Sequence, residues 1–274
     1  MVSANVLSIA GSDPSGGAGI QADLKTFSAL ETYGMAVITG LTAQNTQGVH
    51  AIEMPSTKFI DTQLKVILED IHVDAIKIGM LGNADVVNVV ADRLAAGFQG
   101  PIVVDPVMVA KSGDALLQDD AIHALRERLL PLATVITPNI PEADVLVGTQ
   151  IRDVTDMPTA ATKLLALGCN SVLLKGGHLS GAESPDLFLT HGQQQWLHGE
   201  RFQTRHTHGT GCTLSSAIAA HLGRGMSISD AVVASKQYIS RAIQHAEQLS
   251  VGNGIGPVHH FHAIWDTPDH QQKD

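Results

Sequence analysis

The sequence predicts an α/β fold: a doubly wound, mostly parallel central sheet flanked by helices, with a short antiparallel hairpin at one edge. Three observations carry this reading. Short β-branched runs alternate with amphipathic stretches along most of the 274 residues, the pattern of repeated strand–helix–strand units. Only 16% of the residues are charged against 44% hydrophobic, far below the roughly 25% charged of an average domain. A chain so poor in charge has much of its length inside, as parallel strands covered on both faces require.

The elements follow in order. Val6–Ala10 reads as a buried strand, followed by a Gly-rich turn and a helix with Ile20, Leu24, Phe27 and Leu30 on one face. Met35–Leu41 is a second strand. Phe59–Ile71 carries Ile60, Leu64, Ile67, Leu68 and Ile71 at helical spacing, with Ser56 or Thr57 as its cap. Ala75–Ile78 is a strand and Asn83–Ala96 a helix. Ile102–Val104 ends at Asp105-Pro106, and Ala121–Leu130 is a helix closed by Pro131. Thr134–Thr137 is a strand stopped by Pro138; a helix around Pro158–Leu167 leads to strand Ser171–Leu174. Leu187–Thr190 and Gln195–His198 flank His191-Gly192-Gln193-Gln194 as the edge hairpin. Helices from about Cys212 to Leu222 and Ile228 to Glu247 complete a single domain over 1–266, and 267–274 form a polar, frayed tail.

Composition narrows the function. Seventeen Lys+Arg against 27 Asp+Glu give a net charge of −10, which lacks the basic footprint a phosphate backbone needs, so no nucleic-acid partner is expected. Cys169 and Cys212 are the only cysteines and make no disulfide framework. No positive residue precedes Lys25, and the uncharged stretch from His206 to Gly223 is rich in Thr, Ser, His and Gly. A soluble, cytoplasmic protein with no secretory leader and no membrane span is expected.

In open α/β sheets, ligands bind beyond the carboxyl ends of the strands. Those ends read Gly11-Ser12-Asp13-Pro14-Ser15-Gly16-Gly17, Thr42-Ala43-Gln44-Asn45-Thr46, Gly79-Met80-Leu81-Gly82, Asp105-Pro106-Val107-Met108, Thr137-Pro138-Asn139-Ile140-Pro141-Glu142 and Lys175-Gly176-Gly177-His178. Polar and glycine residues therefore gather on one rim. His208-Gly209-Thr210-Gly211-Cys212-Thr213 precedes an apolar helix. Its glycines let backbone N–H groups point inward, and the helix start adds positive potential. That makes an anion hole suited to a phosphoryl group, or, read plainly, a tight loop before a helix.

Cys212 falls in the first helical turn, where a thiol's pKa drops, although a cysteine opening an apolar helix is often merely buried. His206, His208 and Cys212 have zinc-like spacing, but the glycines between them suit phosphate better and no fourth ligand is evident. Gly17-Ala18-Gly19-Ile20-Gln21-Ala22 fits a dinucleotide turn formally, yet the next strand ends without the carboxylate that would hold a ribose. Asp105 and Glu142 are placed to hold Mg²⁺ or to cap helices. Lys175 adds a cation for phosphate or a solvated strand end.

Taken together, Ala10–Gly19, Asp105–Met108, Thr137–Asn139, Lys175–His178, His208–Cys212 and Gly256–Phe261 make the chain resemble, from about residue 5 to 262, the hydroxymethylpyrimidine/phosphomethylpyrimidine kinases of thiamine biosynthesis, which are ribokinase-like. The resemblance implies an ATP- and Mg²⁺-dependent kinase. It would phosphorylate 4-amino-5-hydroxymethyl-2-methylpyrimidine, then its monophosphate, to the diphosphate. It implies a pyrimidine held by Gly11, Asp23, Gln44, Met80 and Val107, with Cys212 beside the hydroxymethyl group; a thiolate there would take the hydroxymethyl proton in the first step, or the side chain would only position the substrate. Gly209, Thr210, Gly211 and Cys212 would form the catalytic anion hole. Asp105, Asn139, Glu142 and Lys175 would organise ATP phosphates, Asp105 and Glu142 the metal. A homodimer is also implied. The alternatives are a pyridoxal/pyridoxine kinase of the same superfamily and, from another class, a non-catalytic vitamin-precursor binding protein.

Overall fold

Asn5–Ser12 (β1) sends Leu7 and Ile9 into one apolar core and Val6 into a second, so the strand is covered on both faces. The computed structural model describes residues 3–108, 116, 118–180 and 183–265. After β1 come Gly19–Ala29 (α1), Tyr33–Asn45 (β2), Gly48–Glu53 (β3), Thr57–Asp70 (α2) and Ala75–Ile78 (β4). Ala84–Ala95 (α3), Ile102–Val104 (β5), Asp119–Ala124 (α4), Val135–Ile136 (β6) and Ile140–Val147 (α5) follow. Met157–Leu165 (α6), Ser171–Leu174 (β7), Asp186–Thr190 (β8), Gln194–Leu197 (β9), Thr210–Gly223 (α7) and Ile228–Gln244 (α8) complete the order.

The nine strands form one sheet, ordered β3-β2-β1-β4-β5-β6-β7-β8-β9. The six from β2 to β7 run parallel, while β3 at one edge and β8–β9 at the other are antiparallel. The mostly parallel sheet with an edge hairpin at β8–β9 is thus observed. β1 connects outward to β2, and the chain then returns to place β4 on β1's other side. The strand order therefore reverses between β1 and β4, and a crevice opens at their carboxyl ends, where ligands bind in such sheets. Helices α2, α3, α5 and α6 cover one face and α1, α7 and α8 the other. Helix α7 is buried around most of its circumference from Thr213 to Leu222, because it packs on the sheet and lies against both α1 and α8.

Several elements differ from the sequence reading. β2 runs to Asn45 and folds back on β3, giving a second antiparallel edge that the alternation of apolar residues did not reveal. β3 is largely exposed along its length, so it carries almost no burial pattern to read. Helix α5 fills what reads as a loop; Pro141 sits in its first turn, where a missing N–H costs nothing. The helix expected over Ala121–Leu130 is only α4, passing into a π-helical turn over Leu125–Leu129 and a 3₁₀ turn over Leu130–Leu132. The final helix stops at Gln244. The tail expected from residue 267 lies outside the described residues. No helix among the described residues is long and apolar enough to cross a membrane.

Candidate active site

At the reversal point, β1 ends in Gly11-Ser12 and β4 leads into Gly79-Met80. A Cβ on Gly11 would stand 2.4 Å from Met80 Cε, and one on Gly40 2.8 Å from the same carbon. Both glycines are needed for the Met80 thioether to lie across the strand ends. Gly11 also leaves the register of β1 on β2 by a bulge after Ala10. Gln44 sits where β3 bulges at His50 against β2, partly exposed, and shares the Thr42 hydroxyl with the Ser12 carbonyl. Val107, two residues past Asp105, is partly exposed, its N–H donating to the Asp105 carbonyl at 2.8 Å. Gly11, Gln44, Met80 and Val107 thus lie at or just beyond the carboxyl ends of the strands.

Asp23 does not. Its side chain is fully buried, and both oxygens accept from the Lys77 ammonium at 2.8 and 2.9 Å, with Ser8 and Ser216 hydroxyls adding bonds of 2.6 Å each. A carboxylate so saturated has no edge for a substrate, so the expectation that Asp23 touches the pyrimidine is corrected: it is a buried partner of Lys77. The physical reason lies in strand alternation. Ser8 and Lys77 stand on the α1/α7 side of β1 and β4, and α1 brings Asp23 over them. Burial works against the charge on Lys77, but the adjacent Asp23 carboxylate holds its pKa above the ordinary lysine value.

The polar half lies across the anion loop. Gly209 is the N-cap of α7 with φ of 78°, and a Cβ there would fall 1.8 Å from the Gly17 carbonyl oxygen. Only glycine fits. A Cβ on Gly211 would meet Asp105 Oδ2 at 3.3 Å and Lys175 Nζ at 3.4 Å, so the backbone at the helix start faces both charged groups directly. Thr210 turns its hydroxyl to the Thr207 carbonyl at 2.7 Å, tightening the loop. Asp105 is buried and accepts from Lys175 Nζ at 3.0 Å and Thr137 Oγ1 at 3.1 Å, with Ser215 Oγ at 3.4 Å.

Asn139 and Glu142 form a reciprocal capping box on α5: Glu142 Oε2 accepts from the Asn139 N–H at 2.8 Å, and Asn139 Oδ1 from the Glu142 N–H at 2.9 Å. The capping role open to Glu142 in the sequence is therefore real. Glu142 also faces Lys175 and Asp105. Burial, reinforced by the Asp105 charge and only partly relieved by Lys175, pushes its pKa up to about 7. Burial works against the charge of Lys175, and the Asp105 and Glu142 carboxylates overcome it, so its pKa is raised.

Cys212 differs from the sequence reading in its chemistry. The residue is partly exposed, but burial of the thiol pushes it up to about 11. The nearby Lys77 lowers this value only in part, and Asp23 and Asp105 act in the opposite direction. The reactive thiolate expected at a helix start is a neutral thiol, because burial outweighs the field of the helix terminus.

Three groups went unassigned in the sequence: Lys77, Asp13 and His208. Asp13 Oδ2 lies 2.8 Å from His208 Nε2, so the histidine of the zinc-like spacing is turned to a carboxylate. His260 is buried and pushed down to about 3, chiefly by burial, and its Nε2 lies 3.0 Å from Thr213 Oγ1, within hydrogen-bond distance. A lysine alternating with isoleucines in Ala75-Ile76-Lys77-Ile78 was the signal available for Lys77, since a charge inside a four-residue buried strand demands a partner.

The family profile described as Phosphomethylpyrimidine kinase matches residues 13–259. A hydroxymethylpyrimidine/phosphomethylpyrimidine kinase of Salmonella typhimurium is 51% identical over 262 residues, covering 95% of this chain and 98% of that protein. The crystal structure of phosphomethylpyrimidine kinase from Clostridium difficile 630 is 46% identical with a TM-score of 0.78, covering 88% of this chain and 99% of the other. Pyridoxal kinase from Staphylococcus aureus in complex with ADP is 37% identical, with a TM-score of 0.89 and 96% of each chain covered. The glycine-lined crevice at the strand reversal, the anion loop opposite Asp105 and Lys175, and near full-length likeness agree: the chain belongs to the phosphomethylpyrimidine kinase family.

Proposed function

We propose that this protein transfers the terminal phosphoryl group of ATP to 4-amino-5-hydroxymethyl-2-methylpyrimidine and then to the resulting monophosphate, yielding the diphosphate used in thiamine biosynthesis. The observation that carries the reading is the meeting of the α7 anion loop with Asp105 and Lys175 across Gly211, beside the Gly11–Met80 crevice. A phosphate-accepting face and a small, partly apolar acceptor pocket share one wall. A non-catalytic binder has no use for the first of these.

In this reading Gln44 pairs its amide with the aminopyrimidine edge, presenting donor and acceptor together. Met80 and Val107 cover the ring faces, and Gly11 lets the ring approach the backbone. The N–H groups at Gly209, Thr210, Gly211 and Cys212 hold the oxygens of the transferring group; losing one such donor costs about 10²-fold or more. Lys175 supplies the charge, held in place by Asp105. Phosphoryl transfer needs mainly such positioning and charge neutralisation.

The donor set also fits magnesium and nucleotide phosphates. Two buried carboxylates, Asp105 and Glu142, face the ammonium of Lys175, and burial together with the Asp105 charge raises the pKa of Glu142, so a further cation would be welcome there. Asp105 and Glu142 would hold the ion, with water and phosphate completing its shell. What a bound Mg²⁺ supplies is neutralisation of phosphate charge. Asn139 acts by fixing Glu142 through the capping box. We further propose a cytoplasmic homodimer.

The test is incubation of the protein with ATP, Mg²⁺ and either the hydroxymethylpyrimidine or pyridoxal, followed by mass. Sequential mono- and diphosphate from the pyrimidine is expected. The likeness to pyridoxal kinases makes pyridoxal the competing acceptor; phosphorylation of pyridoxal alone overturns the pyrimidine reading.

A further inference from the structure

Asp13 and His208 are 195 residues apart and join two loops that the kinase reading places on opposite sides of the reaction. The Asp13 carboxylate is a hub. Oδ1 accepts from Ser15 N at 2.9 Å and Ser15 Oγ at 2.7 Å; Oδ2 accepts from Ala18 N at 2.8 Å, Gly17 N at 3.2 Å and His208 Nε2 at 2.8 Å. The backbone N–H of Asp13 donates to Gln21 Oε1 at 2.8 Å, tying the loop to α1. On the other side, the His208 N–H donates to the Gly256 carbonyl at 3.0 Å, and its own carbonyl accepts from Val258 N at 3.3 Å. The ring is thus aimed from a backbone fixed by the C-terminal segment.

The two loops touch with no slack. A Cβ on Gly17 would lie 2.2 Å from His208 Cδ2, and Gly209 has room only for hydrogen against the Gly17 carbonyl. Asp13 and His208 are both largely buried, too deep to touch a substrate. His208 immediately precedes the N-cap of α7, so its placement sets where Gly209–Cys212 stand relative to Asp105 and Lys175.

We propose that Asp13 and His208 form a positioning clasp that fixes the anion loop against the acceptor-side loop, setting the distance between phosphoryl donor and acceptor. The inference rests on the kinase reading above. Asp13 stays ionised: burial opposes this, but the bonds from His208 and Ser15 prevail and lower its pKa. A carboxylate only accepts, so His208 Nε2 carries the hydrogen. A displacement of about 1 Å in such a site costs about 10²-fold in rate. The clasp serves both phosphorylations, because each uses the same anion loop.

Two amide substitutions of different reach test this. His208→Gln places an N–H where Nε2 stood; His208→Asn stops short of Asp13. The expected result is a kcat loss of about 10²-fold in both phosphorylation steps for His208→Asn, with KM for pyrimidine and ATP changed less than about threefold, and recovery of about tenfold or more in His208→Gln. Hydrogen exchange of residues 13–18 gives a readout that needs no turnover: protection is lost in His208→Asn and kept in His208→Gln. Equal kcat in wild type and His208→Asn, or equal protection of 13–18 in both variants, overturns the clasp. An inactive wild type overturns the kinase reading alone, and the exchange measurement still decides the clasp.

Discussion

Cys212 and Lys77 show how far a side chain's chemistry depends on what stands behind it. Both flank the same wall: Ser216, one turn beyond Cys212 on α7, bonds Asp23, the partner of Lys77. A thiol pushed up to about 11 is protonated at neutral pH and is no base. Loss of a general base costs about 10²–10⁴-fold, whereas loss of a neutral contact beside the acceptor costs less. Cys212→Ala is therefore expected to slow the first phosphorylation by about tenfold and the second by less than threefold, since only the first acceptor is the hydroxymethyl group. Single-turnover rates for each step check this; a first-step loss above about 10³-fold restores the base. The Lys77–Asp23 pair is fully buried, and removing one partner strands a charge at a cost of about 3–5 kcal/mol. Lys77→Met is expected to lose that much in denaturant unfolding, with a large part recovered in Lys77→Met/Asp23→Leu. The placement of Gly11, Gln44 and Met80 at the strand ends was legible because the apolar runs stop there in glycine and polar residues, whereas the roles proposed for them rest on the family resemblance. Asp23 was misread because a carboxylate one turn into an amphipathic helix looks the same whether it faces a ligand or a buried lysine from a strand 54 residues away.

At the scale of elements, strands buried on both faces were legible and exposed ones were not. β1, β4, β5 and β7 are runs of apolar residues bounded by turns, and the sequence places them to within a few residues. β3 is edge and exposed, and α5 is eight residues with one proline just before it and another in its first turn, so neither shows the period that buried faces impose. Helix α5 nonetheless governs the polar half of the site, for its first turn carries Glu142. A carboxyl raised from 4.5 to about 7 favours its neutral form in the folded state. Its contribution to stability is full below pH 4.5 and is lost as pH rises through about 7. A cation reverses the balance, because it binds the ionised form. The thermal stabilisation given by Mg²⁺ alone is therefore expected to be larger at pH 8 than at pH 6, with apparent affinity about tenfold weaker at the lower pH. Glu142→Gln should abolish that pH dependence. A Mg²⁺-induced shift in melting that is equal at both pH values in the wild type refutes the assignment of the ion to Glu142.

For the whole molecule, the chain reversal that makes the crevice was implicit in the alternation of elements, but strand order was not, since no local pattern tells β4 which side of β1 to take. Order is fixed by tertiary packing: α7, read only as an apolar helix, lies over β1, β4 and β5 and thereby brings its anion loop to the strand reversal. The sheet's two margins differ in a way that bears on assembly. β8–β9 turns one largely buried and one mixed strand outward, whereas the β2–β3 ribbon and the start of α2 expose Tyr33, Leu41, Ile52 and Phe59 at 61%, 46%, 40% and 57%. An exposed edge strand beside apolar side chains is either an aggregation hazard or an interface. Between Gly48 and Glu53 this edge has no lysine and no proline, and its one bulge, at His50, leaves Leu41 and Ile52 exposed. The homodimer proposed above is predicted to pair through this ribbon, which also carries Gln44, so that assembly would stiffen the acceptor side of each site. Sedimentation at micromolar concentration is expected to give twice the chain mass. Leu41→Lys/Ile52→Lys is expected to give the monomer and, because Gln44 loses its support, to raise KM for the pyrimidine by about three- to tenfold with kcat little changed. A wild type that sediments as a monomer removes the dimer. A double variant that stays dimeric moves the interface to another face.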